Sequence, residues 1–186
     1  ALASRASRTV PSSTLVTHFA PRDPISEAYR DLRTSLKFAR ADRPLESILI
    51  TSAGPREGKS TTSANLAVAF AQSGRRCILV DADLRRPVIH NIFGLDREPG
   101  LSEAAAGVTP LAECVRKTSI DNLSILPSGF IPHNPSELLG SRRMKDVIAG
   151  LTADCDMLII DSPPMAVVTD ALLLSPEVDG TLLVVG

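Results

Sequence analysis

Short runs of consecutive apolar residues alternate along most of the chain with longer stretches in which the apolar residues have helical spacing. The apolar runs, which predict strands, are SILITSA, RCILVD, NLSILP, DMLIID and DGTLLVV. Strands with continuous rather than alternating apolar residues are typically covered on both faces, so this pattern favours a mostly parallel sheet with helices on both sides. The predicted fold class is therefore α/β, with a ligand site at the carboxyl ends of the strands.

Helical spacing is clearest in two segments. In PISEAYRDLRTSLKFARA, at about 100° per residue, the apolar side chains form one stripe, while Glu27 and Arg30 point away from it and Arg33 flanks them. This stripe predicts an amphipathic helix and consists of Ile25, Ala28, Tyr29, Leu32, Leu36 and Ala39. The alanine-rich STTSANLAVAFAQSG predicts a second helix that ends near Gly74. Further helices are predicted at LSEAAAG, PLAECVRK, PSELLGSRRMKDVIAGL and TDALLLS.

Residues 1–23 differ in composition from the rest of the chain. They are rich in Ser, Arg, Thr and Pro and contain no acid before Asp23. This composition favours a flexible arm, either a linker or a basic segment next to a membrane. The predicted organisation is this arm over residues 1–23 and one domain over residues 24–186. Because the chain begins without Met and ends within a strand-like pattern, we also expect it to be truncated at its C-terminus.

Composition limits the classes of partner and compartment. The 20 Lys and Arg residues against 21 Asp and Glu give a net charge of -1, so no overall basic field recruits nucleic acid. Three widely separated cysteines without a CxxC or Cys/His cluster indicate neither a disulfide framework nor a zinc site, and they fit a reducing cytoplasm. No apolar run has the length of a membrane helix, and the start of the chain lacks the pattern of a signal peptide.

The segment SAGPREGKST joins the first predicted strand to the alanine-rich helix. Residues 53–60 fit the phosphate-loop pattern GxxxxGK followed by Ser or Thr, with Ala53 in place of the first glycine. Backbone N–H groups in this loop can converge on phosphate oxygens, Lys59 can bridge the β and γ phosphates, and the Ser60 hydroxyl can bind Mg²⁺. We therefore predict a P-loop NTPase-type fold that binds ATP or ADP with Mg²⁺. The predicted nucleotide-binding residues are Gly54, Pro55, Arg56, Glu57, Gly58, Lys59, Ser60 and Thr61.

Acidic residues follow two other predicted strands. ILVDAD delivers Asp81 and Asp83 to the carboxyl edge of the sheet, and LIID delivers Asp161 to the same edge. Three carboxylates beside a phosphate loop predict an oxygen site for Mg²⁺ that water and phosphate complete. An ordinary ATPase needs one such acid, so one of the Asp81 and Asp83 pair is free to position a water or to take a proton from a hydroxyl acceptor. The residues alone leave hydrolysis and phosphoryl transfer both open.

The motifs together resemble those of the bacterial tyrosine kinases of capsular and exopolysaccharide synthesis. SAGPREGKST, ILVDADLRRP and LIIDSPP are similar, in order and spacing, to the Walker A, Walker A′ and Walker B motifs of that family. EAYRDLR is similar to its ExxRxxR self-association motif, and GFIPHNPSELL to its loop before the third motif. The resemblance covers about residues 20–185. It implies an ATP-dependent protein-tyrosine kinase domain that autophosphorylates and regulates polysaccharide polymerisation or export.

The resemblance also implies roles for individual residues. Lys59 and Asp81 would be catalytic, with Asp81 activating the tyrosine hydroxyl. The ligands of Mg²⁺, direct or through water, would be Ser60, Asp83 and Asp161.

The resemblance further implies partners. Glu27, Arg30 and Arg33 would pair across subunits in a ring-like homo-oligomer, which in this family is an octamer. Without the resemblance, the same helix would be a packed helix with a solvated charged face. The other implied partners are a transmembrane polysaccharide co-polymerase, fused or separate, and a tyrosine phosphatase. The implied location is the cytoplasmic face of the bacterial plasma membrane.

The chain has one tyrosine, Tyr29, which lies on the apolar stripe, so we expect the family's tyrosine-rich acceptor tail to lie outside this chain.

Two alternatives to a kinase remain open. An ATPase switch of the septum-placing and partition type (MinD/ParA) would share the fold. Those proteins carry a signature lysine where this chain has Gly54. A scaffold that uses ATP only for assembly would not need both Asp81 and Asp83.

Overall fold

A mostly parallel sheet forms the centre of the computed structural model, which describes residues 14–40 and 42–186. The strands are β1 (Ser47–Ser52), β2 (Cys77–Asp81), β3 (Arg116–Lys117), β4 (Leu123–Leu126), β5 (Met157–Asp161) and β6 (Gly180–Val184). Within the described residues they form one six-stranded sheet in the order β3-β4-β2-β5-β1-β6. Every neighbouring pair is parallel except β3 with β4. The predicted α/β class is confirmed.

Helices cover both faces of this sheet. They are α1 (Val16–Phe19), α2 (Pro24–Lys37), α3 (Lys59–Gln72), α4 (Ile89–Phe93), α5 (Leu101–Ala106), α6 (Leu111–Cys114), α7 (Pro135–Leu139), α8 (Arg142–Asp154) and α9 (Asp170–Leu174). Ile159 of β5 packs in a buried cluster with α3, whereas its neighbours Leu158 and Ile160 pack in a second cluster with α8. Successive side chains of one strand are thus buried on opposite faces, which explains the unbroken apolar runs. None of the helices in the described ranges has the length and apolar character needed to cross a membrane.

Some predicted helices differ from the observed ones. The segment PLAECVRK is helical only to Cys114, and Arg116–Lys117 then form the antiparallel edge strand β3. The predicted helix PSELLGSRRMKDVIAGL is two helices, because the Ser141 hydroxyl accepts the N–H of Met144 at 3.2 Å and starts α8 anew. Helices α1 and α4 were not predicted.

Helix α2 has the predicted amphipathic character only in part. Asp23 caps it by accepting the N–H of Ile25 at 2.8 Å, and Pro24 occupies the first position. The side chains that pack against the core are Tyr29, Leu32 and Leu36. The stripe residues that are instead exposed are Ile25, Ala28 and Ala39. Tyr29 is therefore a packed aromatic residue.

Residues 14–23 do not form the predicted flexible arm. Leu15 is fully buried, and the N–H of Thr17 donates to Asn65 Oδ1 at 3.0 Å. The Asn65 side-chain amide in turn donates to the carbonyls of Thr14 and Thr61 at 3.0 and 2.9 Å. Because Asn65 lies on α3, this segment is bound to the same helix that follows the phosphate loop. Residues 1–13 of the predicted arm lie outside the described residues.

Asp179 connects the start of β6 to the segment before β1. Its carboxylate accepts the N–H groups of Glu46 and Ser47 at 3.0 and 3.1 Å. It also pairs with Arg43 at 2.6 Å and with Arg40 at 3.1 Å. Burial raises the pKa of Asp179, but these donors outweigh burial and hold the pKa below its ordinary value.

Replacing Asp179 with Asn therefore has a pH-dependent effect on stability. A carboxylate with a lowered folded-state pKa stabilises the fold above its unfolded pKa of about 3.9, and this contribution is lost as the pH falls through the folded value. At pH 7 we expect Asp179→Asn to lower the free energy of unfolding by about 1–2 kcal/mol. In urea titrations, the free energies of unfolding of the variant and of the unchanged protein should become more similar below about pH 4. The control is Asp121→Asn, at an exposed position. If the difference in the free energy of unfolding between Asp179→Asn and the unchanged protein stayed constant with pH, the ionised Asp179 carboxylate would not be the stabilising group.

Candidate nucleotide-binding site

The predicted phosphate loop lies between the end of β1 and the start of α3. Gly58 has a φ of +83° and immediately precedes α3, so the chain turns sharply there into the helix. The Ser52 hydroxyl donates to the carbonyl of Gly54 at 2.7 Å, which fixes the other end of the loop. The first N–H groups of a helix have no partner within it and carry a partial positive charge. The loop and the start of α3 therefore have the geometry of an anion site.

The other predicted loop residues occupy different positions around this turn. Pro55 and Arg56 are exposed, and Arg56 has a φ of +66°. Glu57 is partly buried, and a Cβ added to Gly54 would lie 3.2 Å from Glu57 Oε1. Thr61 lies in the first turn of α3, where its carbonyl is held by the Asn65 amide noted above. A side chain at position 54 would thus displace Glu57.

Asp161, at the end of β5, lies at the centre of the site. It is fully buried and lies in register with Asp81 of β2. The Ser60 hydroxyl donates to Asp161 Oδ2 at 2.7 Å, and the Ser63 hydroxyl donates to Oδ1 at 2.8 Å. Burial raises the pKa of Asp161, while Lys59 and the two hydroxyls oppose this without reversing it.

The Lys59 ammonium lies among the oxygens that the sequence predicts as metal ligands. Its Nζ is 3.2 Å from Asp83 Oδ2, 3.6 Å from Asp161 Oδ2 and 3.1 Å from the Ser60 hydroxyl. Burial lowers the pKa of Lys59, but Asp161 and then Asp83 outweigh burial and raise the pKa above its ordinary value. Lys59 is therefore a cation whose charge these carboxylates balance.

The Asp81 carboxylate accepts hydrogen bonds from backbone N–H groups. It is fully buried, its Oδ1 accepts the N–H of Asp83 at 3.3 Å, and its Oδ2 accepts the N–H groups of Val88 and Ile89 at 3.1 and 3.0 Å. Burial and then the charge of Asp161 raise the pKa of Asp81 well above its ordinary value. Because Ile89 begins α4, Asp81 also holds the start of that helix, a role that the sequence analysis missed.

The metal site expected from the sequence needs one correction. Within residues 14–40 and 42–186, no group of three or more His, Cys, Asp or Glu side chains is arranged to hold a metal ion. Both oxygens of Asp81 instead accept backbone N–H groups. Ser60, Asp83 and Asp161 nevertheless surround one cation, Lys59 Nζ, and hydroxyl and carboxylate oxygens are the donors that Mg²⁺ takes. These three residues fit a metal that phosphate and water oxygens complete.

The predicted self-association residues lie on α2 and have partners within the chain. The Arg30 guanidinium pairs with Glu27 at 2.6 Å, one turn earlier on the same helix. Arg33 Nη1 donates to the carbonyl of Ala69 on α3 at 2.9 Å. The structure therefore places these residues away from the cluster around Lys59.

Known proteins with similar sequences are bacterial tyrosine kinases. A family profile described as an AAA domain matches residues 48–178. The chain is 45% identical over 165 residues to the tyrosine-protein kinase YwqD of Bacillus subtilis, covering 89% of this chain and 70% of YwqD. It is 37% identical over 173 residues to the putative tyrosine-protein kinase CapB of Staphylococcus aureus, covering 93% and 76% of the two chains. It is 38% identical over 164 residues to the tyrosine-protein kinase Wzc of Salmonella typhimurium, but covers only 23% of that protein.

Solved structures of bacterial tyrosine kinase domains are also similar to this chain. The kinase domain of the Escherichia coli tyrosine kinase ETK is 36% identical with a TM-score of 0.90, and the match covers 98% of this chain and 71% of that one. The chimerical protein CapA2B2 is 40% identical with a TM-score of 0.89, covering 94% and 77%. The septum site-determining protein MinD of Pyrococcus horikoshii, complexed with Mg-ADP, is 29% identical with a TM-score of 0.64, covering 74% and 56%. The fold is thus shared with switch ATPases, but the likeness to the kinase domains is greater.

The left-handed turn at Gly58 provides a direct test of the loop. Gly58 and Gly74 have φ values of +83° and +84°, and a Cβ at either would meet nothing within 4 Å. Alanine at either position should cost about 1–2 kcal/mol in the free energy of unfolding, because only the left-handed backbone is strained. We expect Gly58→Ala also to weaken ADP binding about tenfold, equivalent to about 1.4 kcal/mol, in calorimetric titrations. Gly74→Ala, at the far end of α3, should leave ADP affinity unchanged; an equal loss in both variants would contradict the loop assignment.

Proposed function

This chain belongs to the bacterial tyrosine-protein kinase family, and on that premise we propose that it is a kinase domain that transfers the γ-phosphate of ATP to tyrosine hydroxyls. The observation that carries this proposal is the buried carboxylate of Asp81 beside the cluster of Lys59, Ser60, Asp83 and Asp161. The relatives CapB, EpsB and Wzc are named as tyrosine kinases. Its proposed role is the regulation of capsule or exopolysaccharide polymerisation and export.

The first part of the mechanism is nucleotide binding. The N–H groups of the phosphate loop and the first turn of α3 bind the phosphates, and Lys59 exchanges Asp83 for phosphate oxygens. Ser60, Asp83 and Asp161 would hold Mg²⁺, whose chemistry here is to neutralise charge on the β and γ oxygens. The exchange leaves Lys59 charged and surrounded by oxygens throughout.

The second part is removal of the tyrosine proton. A carboxylate offers about four lone-pair positions, and backbone N–H groups fill three of those on Asp81, so one remains for the hydroxyl. The raised pKa of Asp81 makes it a stronger base than an exposed aspartate. The tyrosine oxygen then attacks the γ-phosphorus, its proton passes to Asp81, and ADP leaves. Asp81 is fully buried, so the acceptor hydroxyl has to displace groups that cover this carboxylate.

The acceptor tyrosine comes from outside the core of this domain. Tyr29 packs against the buried cluster around α3, so its ring is part of the fold. An acceptor on another chain, or on a segment beyond residues 1–186, has the freedom to reach Asp81. This agrees with the tyrosine-rich tail that the family resemblance implies.

A switch ATPase is the second candidate function. The structural likeness to MinD favours it, and MinD in that structure is complexed with Mg-ADP. Gly54 opposes it, because the switch proteins carry a signature lysine at that position. Transfer to tyrosine is therefore the better account of this loop.

Assembly into a ring through α2 is part of the proposal. Glu27 is exposed and Arg30 is half-buried, and Arg30 Nη2 also donates to the carbonyl of Pro21 at 2.6 Å. Ion pairs of this kind on one helix contribute only about 0.3–0.5 kcal/mol. Exchanging this pair for contacts with a neighbouring subunit would therefore cost little. The proposed further partners are a transmembrane polysaccharide co-polymerase, as the chimerical CapA2B2 suggests, and a tyrosine phosphatase. The proposed location is the cytoplasmic face of the plasma membrane, without a nucleic-acid partner.

Replacing Asp81 with Asn tests the kinase proposal. The variant removes the proton acceptor but keeps a side chain of the same size, so we expect Mg-ADP binding within about threefold and a loss of phosphotyrosine formation of at least about a hundredfold. Phosphotyrosine is measured on an added tyrosine-containing copolymer with Mg-ATP. Asp121→Asn serves as the matched control.

Two outcomes would overturn this assignment. Full transfer by Asp81→Asn would exclude Asp81 as the base. Release of inorganic phosphate by the unchanged protein, without phosphotyrosine on any acceptor, would favour the switch ATPase instead.

Alanine substitutions on α2 test the assembly. Glu27→Ala with Arg30→Ala removes this pair and the hydrogen bond from Arg30 to Pro21, so we expect the oligomer to dissociate in sedimentation velocity with a loss of stability of about 1 kcal/mol. Arg33→Ala also removes the hydrogen bond to Ala69, so it should lower stability as well. The control replaces Asp31 and Lys37, which are exposed on the same helix. An oligomer of unchanged size in the Glu27 and Arg30 variant would exclude this interface.

A further inference from the structure

Arg85 forms a cluster with two residues that are distant in sequence. Its Nε donates to Asp170 Oδ2 at 2.9 Å and its Nη2 donates to Asp170 Oδ1 at 3.2 Å. The Ser136 hydroxyl donates to Asp170 Oδ1 at 2.7 Å and accepts from Arg85 Nη2 at 2.9 Å. Asp170 begins α9 and is fully buried, and Ser136 lies in α7. This cluster therefore fixes the segment after β2 to two helices.

The backbone of the same segment orients Asp83. Asp83 Oδ1 accepts the N–H groups of Arg85 and Arg86 at 3.3 and 2.9 Å. With Oδ1 held in this way, the other oxygen, Oδ2, faces Lys59 Nζ at 3.2 Å. The direction of Asp83 towards the cation therefore depends on where the backbone of Arg85 lies.

We propose that Arg85 is a positioning residue for Asp83: by anchoring the turn of residues 83–86 to buried Asp170, it aims Asp83 Oδ2 at the cation that the nucleotide site binds. This inference rests on the proposed function, because it concerns the same metal and nucleotide. Arg85 is not assigned a contact with the nucleotide, since its guanidinium is engaged by Asp170 and Ser136.

The chemistry of the Arg85–Asp170 pair supports its role as an anchor for the turn of residues 83–86. A guanidinium makes two parallel hydrogen bonds to one carboxylate, which fixes direction as well as distance. Asp170 is fully buried, and loss of Arg85 would leave its carboxylate with the Ser136 hydroxyl but without a cation. The turn would then have to move to readmit water.

The experiment separates metal binding from nucleotide binding. ADP is titrated calorimetrically into the full chain with Mg²⁺ and again with excess EDTA, and the ratio of the two affinities gives the enhancement due to Mg²⁺. We expect Arg85→Gln to reduce this enhancement about tenfold, the effect of removing a residue that orients a metal ligand. Affinity for ADP in EDTA should change by less than about twofold, because the phosphate loop is untouched.

Two further variants keep the test independent of folding. Arg85→Gln together with Asp170→Asn replaces the ion pair by a neutral hydrogen-bonded pair, which avoids an unpaired buried charge. Both changes act through one contact, and a Gln side chain cannot make the two parallel hydrogen bonds of a guanidinium, so the double variant should lose about as much enhancement as Arg85→Gln alone. The matched control is Arg76→Gln, whose guanidinium contacts Asp156 at 2.8 Å at the opposite end of β2. It should leave the enhancement unchanged.

The possible results have different meanings. An unchanged enhancement in folded Arg85→Gln or in the double variant would overturn the inference and leave the proposed function intact. Equal losses of ADP affinity with and without Mg²⁺ would also overturn it, because they would show a general structural effect. If ADP binding by the unchanged protein does not respond to Mg²⁺, both the inference and the proposed metal-dependent function fail.

Discussion

Two carboxylates buried at the ends of neighbouring parallel strands set the electrostatic constraint that the rest of the site satisfies. Asp81 and Asp161 lie in register at the ends of β2 and β5, and neither is exposed. An unpaired buried charge costs several kcal/mol, so each carboxylate needs donors close by. The first turn of α3 supplies them to Asp161 through Lys59 and Ser60. The start of α4 supplies them to Asp81.

The same donors make the site suited to phosphate. Lys59 is held ready in the free protein by Asp83 and Asp161, so an incoming polyphosphate replaces carboxylates that are already there. Little reorganisation is needed when the dipoles and charges of a site are arranged in advance. The three aspartates differ in their donors, and in the proposed function this difference leaves one of them to act as a base while the others face the cation.

Patterns within short segments could be predicted from the sequence, whereas pairings between distant segments could not. Apolar runs located the long strands, and the spacing around Gly58 located the phosphate loop. Helix α4 has only five residues and strand β3 only two, too few to show a period. The contact of Arg85 with Asp170 spans 85 positions, and no local signal specifies it. The backbone role of Asp81 was missed for a related reason: the sequence showed an acid at a strand end, but not that α4 would begin beside it.

The hydrogen bonds between residues 14–23 and α3 have a consequence for the nucleotide site. Asn65 joins the carbonyl of Thr14 to that of Thr61, and Thr61 belongs to the turn of α3 that also carries Lys59 and Ser60. The position of residues 14–23 is therefore tied through the one side chain of Asn65 to the turn that carries Lys59 and Ser60.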